Sequence, residues 1–275
     1  MMATLVTILT GGSAALYTLS ATSHLSLMFR REYEFLARWS TRVAWVVQSV
    51  ALAMLVVHMG RFPIYTLFEV SHLLAWLLMT IYMVTEFMQS NQAAGSFLTP
   101  VIAAVMVLSL TLPHTEVNPE LVGSLPLDLI VWHVGVTLLG YGFFIGSFVA
   151  GALYLIQDRN LRRKHFGPIY YKLPSLEALD IWAGRLVYIG FPLLTLGVGA
   201  GLAFAHVTWE NFWQADPKVI FTVFVWTVYG GYLLMRKIWG WGGRRAAWWV
   251  VAAGIALLFN WFVINLASDV HRFGV

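Results

Sequence analysis

Eight apolar runs dominate the sequence, at about 4–29, 43–59, 62–88, 97–112, 127–156, 179–205, 219–235 and 246–267. A helix needs about 20 residues, and at least about 17, to cross ~30 Å of hydrocarbon. The run at 97–112 is the shortest of the eight. In lipid the backbone must satisfy its own hydrogen bonds, so each run is read as a helix. None alternates apolar and polar residues at the two-residue period of a membrane barrel. Hydrophobic residues make up 59% of the chain and charged residues 11%, against about 25% charged in soluble domains. The expected fold is an all-α integral membrane protein, a bundle of about eight transmembrane helices forming one polytopic domain over residues 1–275.

Orientation follows from lysine and arginine. Arg30, Arg31, Arg38 and Arg42 fall in one set of loops, with Arg159, Arg162, Arg163, Lys164, Lys172, Arg236, Lys237, Arg244 and Arg245. The opposite face holds Arg61, Lys218 and Arg272, and Arg185 opens the sixth run. The richer side is expected to be cytoplasmic, with both termini, the 113–126 loop and the 209–218 loop outside. A multi-pass protein of a bacterial plasma membrane fits this pattern. The basic residues contact anionic lipid on one face, so the net charge of +4 implies no nucleic-acid partner. The first charge, Arg30, follows a long apolar run, so the basic start of a secretory signal is missing. Cysteine is absent, which excludes disulfides, thiolate metal sites and covalent haem attachment through a Cys-x-x-Cys-His motif.

Several polar residues stand where lipid disfavours them. In the third run Glu69 precedes His72 by three residues, which puts both on one helical face. A carboxylate in a span usually faces the bundle interior. The two side chains either make a structural polar contact between helices or share a proton. His133 lies near the outer end of the fifth run, where a histidine is either a hydrogen-bonded interfacial group or a ligand. Between the sixth and seventh runs stands Trp209-Glu210-Asn211-Phe212-Trp213-Gln214-Ala215-Asp216-Pro217-Lys218. Its tryptophans suit a membrane interface, and Asp216-Pro217 is a common helix start. In the sixth run, Gly190, Gly197, Gly199 and Gly201 allow close helix approach, and Pro192 is expected to bend the helix.

The Trp-x-x-x-Trp-x-x-Asp-Pro-Lys pattern resembles the tryptophan-rich signature of the cytochrome c assembly protein family, the CcsA and HemX-like haem-handling proteins. Glu210 replaces the usual glycine and Ala215 the usual third tryptophan. Further matches are Pro63, Glu69 and Trp76; His133-Val134 with Tyr141; Gly190-Phe191-Pro192-Leu193-Leu194-Thr195; Gly240-Trp241-Gly242-Gly243-Arg244; and Asp269-Val270-His271-Arg272-Phe273-Gly274. The resemblance covers about 62–275. One position departs from it: Leu234 stands where the CcsA pattern has an intramembrane histidine two residues before Arg236. That loss, with the degenerate tryptophan loop, points to the HemX-like branch and away from a full synthetase.

The resemblance implies a non-covalent haem b near the outer face. His133 and His271 would be its iron ligands, with Trp209 and Trp213 beside the macrocycle and Lys218 or Arg272 near propionates. Asp216 would orient a ligand, and Glu69 and His72 would line a polar cavity. Two imidazoles complete the coordination of haem iron and suit holding or relaying electrons. The implied function is to hold, transport or sense haem at the outer membrane face, in cytochrome c assembly or in regulation of haem biosynthesis. The implied partners are haem, an apocytochrome c or another assembly protein, or a haem-biosynthesis enzyme on the cytoplasmic side. Two other readings stand beside it: a non-catalytic membrane anchor, and a haem b electron-transfer subunit of a larger complex. No nucleophile–base pair, phosphate loop or metal-hydrolase motif is visible in the sequence, which leans against an independent enzyme.

Overall fold

A computed structural model describes residues 2–89, 95–112, 117, 126–164, 166–210 and 215–268. His271, Trp213, His114 and Arg272 lie outside the described residues. The described helices are α1 (Met2–Leu27), α2 (Glu34–Met59), α3 (Leu67–Gln89), α4 (Gly95–Ser109), α5 (Leu127–Arg162), the short α6 (Pro168–Lys172), α7 (Leu176–Trp209), α8 (Pro217–Trp239) and α9 (Gly243–Phe262). Among them, seven are long and apolar enough to cross a membrane. The eighth apolar run is α4, with 15 residues; at 1.5 Å per residue it reaches only about 23 Å. The fold is that of an all-helical multi-pass membrane protein.

The chain divides into two compact units, one of Met1–Thr115 with Gly167–Lys172 and one of Glu116–Phe166 with Leu173–Val275. In the first unit α1 packs on α2 and α4, and α3 on α4. One face of α1 is a row of buried polar groups: Thr10, Ser13, Tyr17, Ser20 and His24. Tyr17 donates to Gln48 on α2, Ser20 and Thr41 join at 2.6 Å, and His24 Nε2 meets the Tyr82 hydroxyl of α3 at 2.9 Å. With no water in the bilayer core, such groups must bond between helices. Lys172 of α6 donates to the Leu27 carbonyl at 2.6 Å, a cation at the carboxyl end of α1.

In the second unit α5 and α7 share the longest interface, α9 packs on α5, and α8 lies against α7 and α9. Glycine is what lets α5 and α7 approach. A Cβ on Gly140 would stand 3.1 Å from the Leu194 nitrogen, and one on Gly190 would stand 3.0 Å from the Phe144 ring. Pro192 lies inside the continuous helix α7. At the far ends of these helices Arg236 forms a two-pronged pair with Asp180, at 2.7 and 3.1 Å. The Gly243 N–H donates to the same carboxylate at 2.9 Å. Gly240 and Gly243 are left-handed, at φ 61° and 63°, so the Gly-Trp-Gly-Gly stretch is a turn built to fold back onto Asp180.

Candidate functional site

The described part of the site lies at the end of the second unit where α5 begins, α7 ends, α8 begins and α9 ends. His133 sits in the second turn of α5, half-buried. Its Nδ1 lies 2.7 Å from the Gly197 carbonyl of α7. A carbonyl only accepts, so Nδ1 carries the proton and Nε2 keeps its lone pair. Among the described residues Nε2 has no hydrogen-bond partner. The ring rests on Gly201, one turn further along α7, where an added Cβ would come within 2.7 Å of Nδ1. Gly197 and Gly201 thus form the seat that holds this imidazole in one orientation and one tautomer.

Asp216 caps α8. Its carboxylate accepts from the Lys218 N–H at 2.8 Å and Pro217 takes the first helical position, as the Asp-Pro step predicts. Lys218 is buried, at 8% exposure. Its ammonium donates to the Asn260 carbonyl at 3.3 Å and lies 5.6 Å from the centre of the Trp261 ring. It is close enough to act electrostatically on His133. Asn260 Nδ2 reaches Thr222 at 3.2 Å and the Tyr141 hydroxyl at 3.4 Å. Among the described residues, buried Asn260 Oδ1 and the buried Tyr229 hydroxyl find no hydrogen-bond partner. Trp209 closes α7, half-exposed, edge-on to Phe204 at 5.5 Å. His133, Trp209, Asp216 and Lys218 are therefore drawn from the ends of three helices of one unit. Leu234 is exposed on α8.

Glu69 and His72 belong to the first unit, and the structure gives Glu69 a complete set of partners. Arg61 holds its two oxygens at 2.8 and 3.0 Å. Oε2 also accepts from the Tyr65 N–H at 2.9 Å, and the Glu69 N–H donates to the Thr66 hydroxyl at 3.2 Å. Thr66-x-x-Glu69 is thus a capping box at the start of α3. Arg61 also lies over Tyr65; burial pushes the Tyr65 phenol up, and Arg61 opposes that shift. His72 Nδ1 bonds the Phe68 carbonyl at 3.0 Å, on its own helix. His58 and His206 are exposed. Two residues the sequence reading passed over, Arg61 and His24, hold buried polar positions here; Arg61 was visible in sequence as the one cation shortly before Glu69.

Among the described residues no three His, Asp or Glu side chains converge on a metal site. The arrangement instead offers a fixed imidazole on α5 and a buried ammonium at the start of α8, in one unit. A histidine whose one ring nitrogen donates to a backbone carbonyl has the arrangement that ligating histidines commonly show.

Fold and site together define a multi-pass helical membrane protein with an oriented histidine and a buried lysine at one end of a helical unit. The sequence model of the family described as Cytochrome C assembly protein matches residues 64–271. Protein HemX of Bacillus subtilis (strain 168) is 32% identical over 266 residues, covering 95% of this chain and 96% of that protein. Cytochrome c biogenesis protein CcsA of Trieres chinensis is 30% identical over 249 residues, 78% of each chain. The chain belongs to the cytochrome c assembly protein family. The solved structure of Cytochrome c Heme Lyase CcmF superposes with a TM-score of 0.67 at 13% identity, over 97% of this chain and 48% of that one. The chain thus spans about half the length of that protein, and the likeness is one of fold.

Proposed function

We propose that this protein holds haem non-covalently at the outer face of the membrane, and so serves haem relay in cytochrome c assembly or haem sensing in control of haem biosynthesis. The observation that carries the reading is the 2.7 Å bond from His133 Nδ1 to the Gly197 carbonyl, which presents Nε2 as a ready iron donor. His133 would hold one face of the iron and His271 the other, with Trp209 and Trp213 against the ring. Lys218, buried at the positive end of α8 where an ammonium is electrostatically disfavoured, would meet a propionate. Asp216 positions Lys218 by capping its helix. The names Cytochrome c biogenesis protein CcsA and Cytochrome c Heme Lyase CcmF speak of cytochrome c and haem, which supports haem as the cargo; the partner in this reading is an apocytochrome c, another assembly protein or a haem-biosynthesis enzyme on the cytoplasmic side.

The purified protein is expected to show a low-spin haem spectrum. His133→Ala and His271→Ala should each lower haem content or leave a five-coordinate spectrum, while His58→Ala and His206→Ala should not. Wild-type haem content and an unchanged low-spin spectrum in both ligand variants would refute the assignment. We also propose a single polytopic domain with both termini outside, from the basic-residue asymmetry. A cysteine placed at Ser124 should react with an impermeant reagent in intact cells, and one at Ser175 should not; the reverse pattern inverts the topology.

A further inference from the structure

The entry to α2 carries a second feature that the haem reading leaves unused. Arg31, Glu32, Glu34, Phe35, Arg38, Trp39 and Arg42 line an open groove of about 440 Å³ on the first unit. Its charges are unevenly matched. Glu32 pairs with Arg30 at 3.3 Å and Glu34 with Arg38 at 2.9 Å. Arg31 and Arg42 have no carboxylate within ion-pair distance among the described residues. The Arg42 guanidinium lies 5.7 Å from the centre of the Trp39 ring, and Trp39 stands 6.0 Å from Phe35. Glu86 bears electrostatically on Arg38 and Arg42 from beyond ion-pair distance, yet the groove's own lining holds three guanidiniums against two carboxylates, and such a surplus suits a phosphate, which a guanidinium fork binds in two-pronged fashion.

The groove continues into an apolar stripe. Phe35, Trp39, Val43, Val46, Val50 and Val57 are all exposed and recur at spacings that keep them on one face of α2. The opposite face buries Ala37, Ala44, Ala51 and Leu55 in the unit. A charged head pocket above a valine-lined track has the two-part shape of a lipid. A soluble phosphate has no use for the track, and a zwitterionic lipid carries its own cation into a groove whose lining already holds three guanidiniums against two carboxylates.

We propose that this groove is a seat for one anionic phospholipid, its phosphate between Arg31 and Arg42 and an acyl chain along Val43, Val46 and Val50. The site is independent of haem. The protein would be placed in nanodiscs of phosphatidylcholine with a minor fraction of phosphatidylglycerol, and the lipids retained on it read by native mass spectrometry. Wild type should enrich phosphatidylglycerol. Arg31→Gln/Arg42→Gln should reduce that enrichment about thirtyfold, the effect of two basic groups at an anionic surface, and Arg42→Gln alone about fivefold, which serves if the double variant fails to fold. Arg162→Gln/Arg163→Gln should leave the enrichment intact. Equal enrichment in the groove variants, retention of phosphatidylcholine as often as phosphatidylglycerol, or the same loss in the Arg162/Arg163 variant would each overturn the proposal.

Discussion

Glu69 and Lys218 are both ionisable side chains buried in the first turn of a membrane helix, yet their surroundings are opposite. Glu69 is an anion at the amino end of α3, where the helix dipole favours it. It meets a guanidinium fork and the Tyr65 N–H at 2.8 to 3.0 Å, and the Thr66 N–H at 3.4 Å. Lys218 is a cation at the amino end of α8, where the dipole opposes it, and its ammonium has a carbonyl at 3.3 Å and a ring face. A buried charge with all its partners in place is a structural device. A buried charge with few partners among the described residues, in the same unit as an oriented imidazole, is the better mark of a ligand site.

Three measurements break or sharpen that contrast. Glu69→Ala removes a cap and strands Arg61, so it should lower stability by about 3 kcal/mol, read from the unfolding midpoint in detergent, with haem per folded protein unchanged. Loss of haem without loss of stability would move Glu69 into a ligand site and erase the contrast. Lys218→Met should do the reverse: unfolding midpoint kept or raised, haem affinity about tenfold weaker, a cost of about 1.4 kcal/mol. A destabilised Lys218→Met that binds haem as well as wild type would make Lys218 structural. Asp216→Ala should lower stability by about 1 kcal/mol through the lost cap, and haem affinity by less than Lys218→Met does; an effect on haem larger than that of Lys218→Met would give Asp216 a direct role.

Hydropathy made the helices legible because lipid leaves the backbone so few alternatives. It misplaced the ends where polar turns belong to the helix. α2 begins at Glu34, nine residues before the apolar run, since Glu34, Arg38 and Trp39 form its interfacial turns. The helix start at Asp216-Pro217 was written in local chemistry. So was the Thr66-x-x-Glu69 capping box, which stands beside the cavity that the resemblance implies for Glu69. Arg61 stood in sequence as the one cation shortly before Glu69, but the turn that brings the two together did not. The tautomer of His133 is set by a carbonyl 64 residues away, and no spacing rule carries that information. The resemblance marked His133 as a ligand; the seat built by Gly197 and Gly201 is the observation that supports that proposal.

Helix α7 carries that seat near one end and, through Asp180, the clamp on Arg236 and Gly243 near the other. From residue 180 to residue 201 a helix rises about 32 Å, roughly one hydrocarbon thickness. The histidine seat and the arginine clamp are thus mounted on a single rod. An axial slide of α7 small enough to stretch the His133 bond by a few tenths of an ångström is, at the far end, the same slide applied to the clamp, unless it is absorbed as flexure at Pro192.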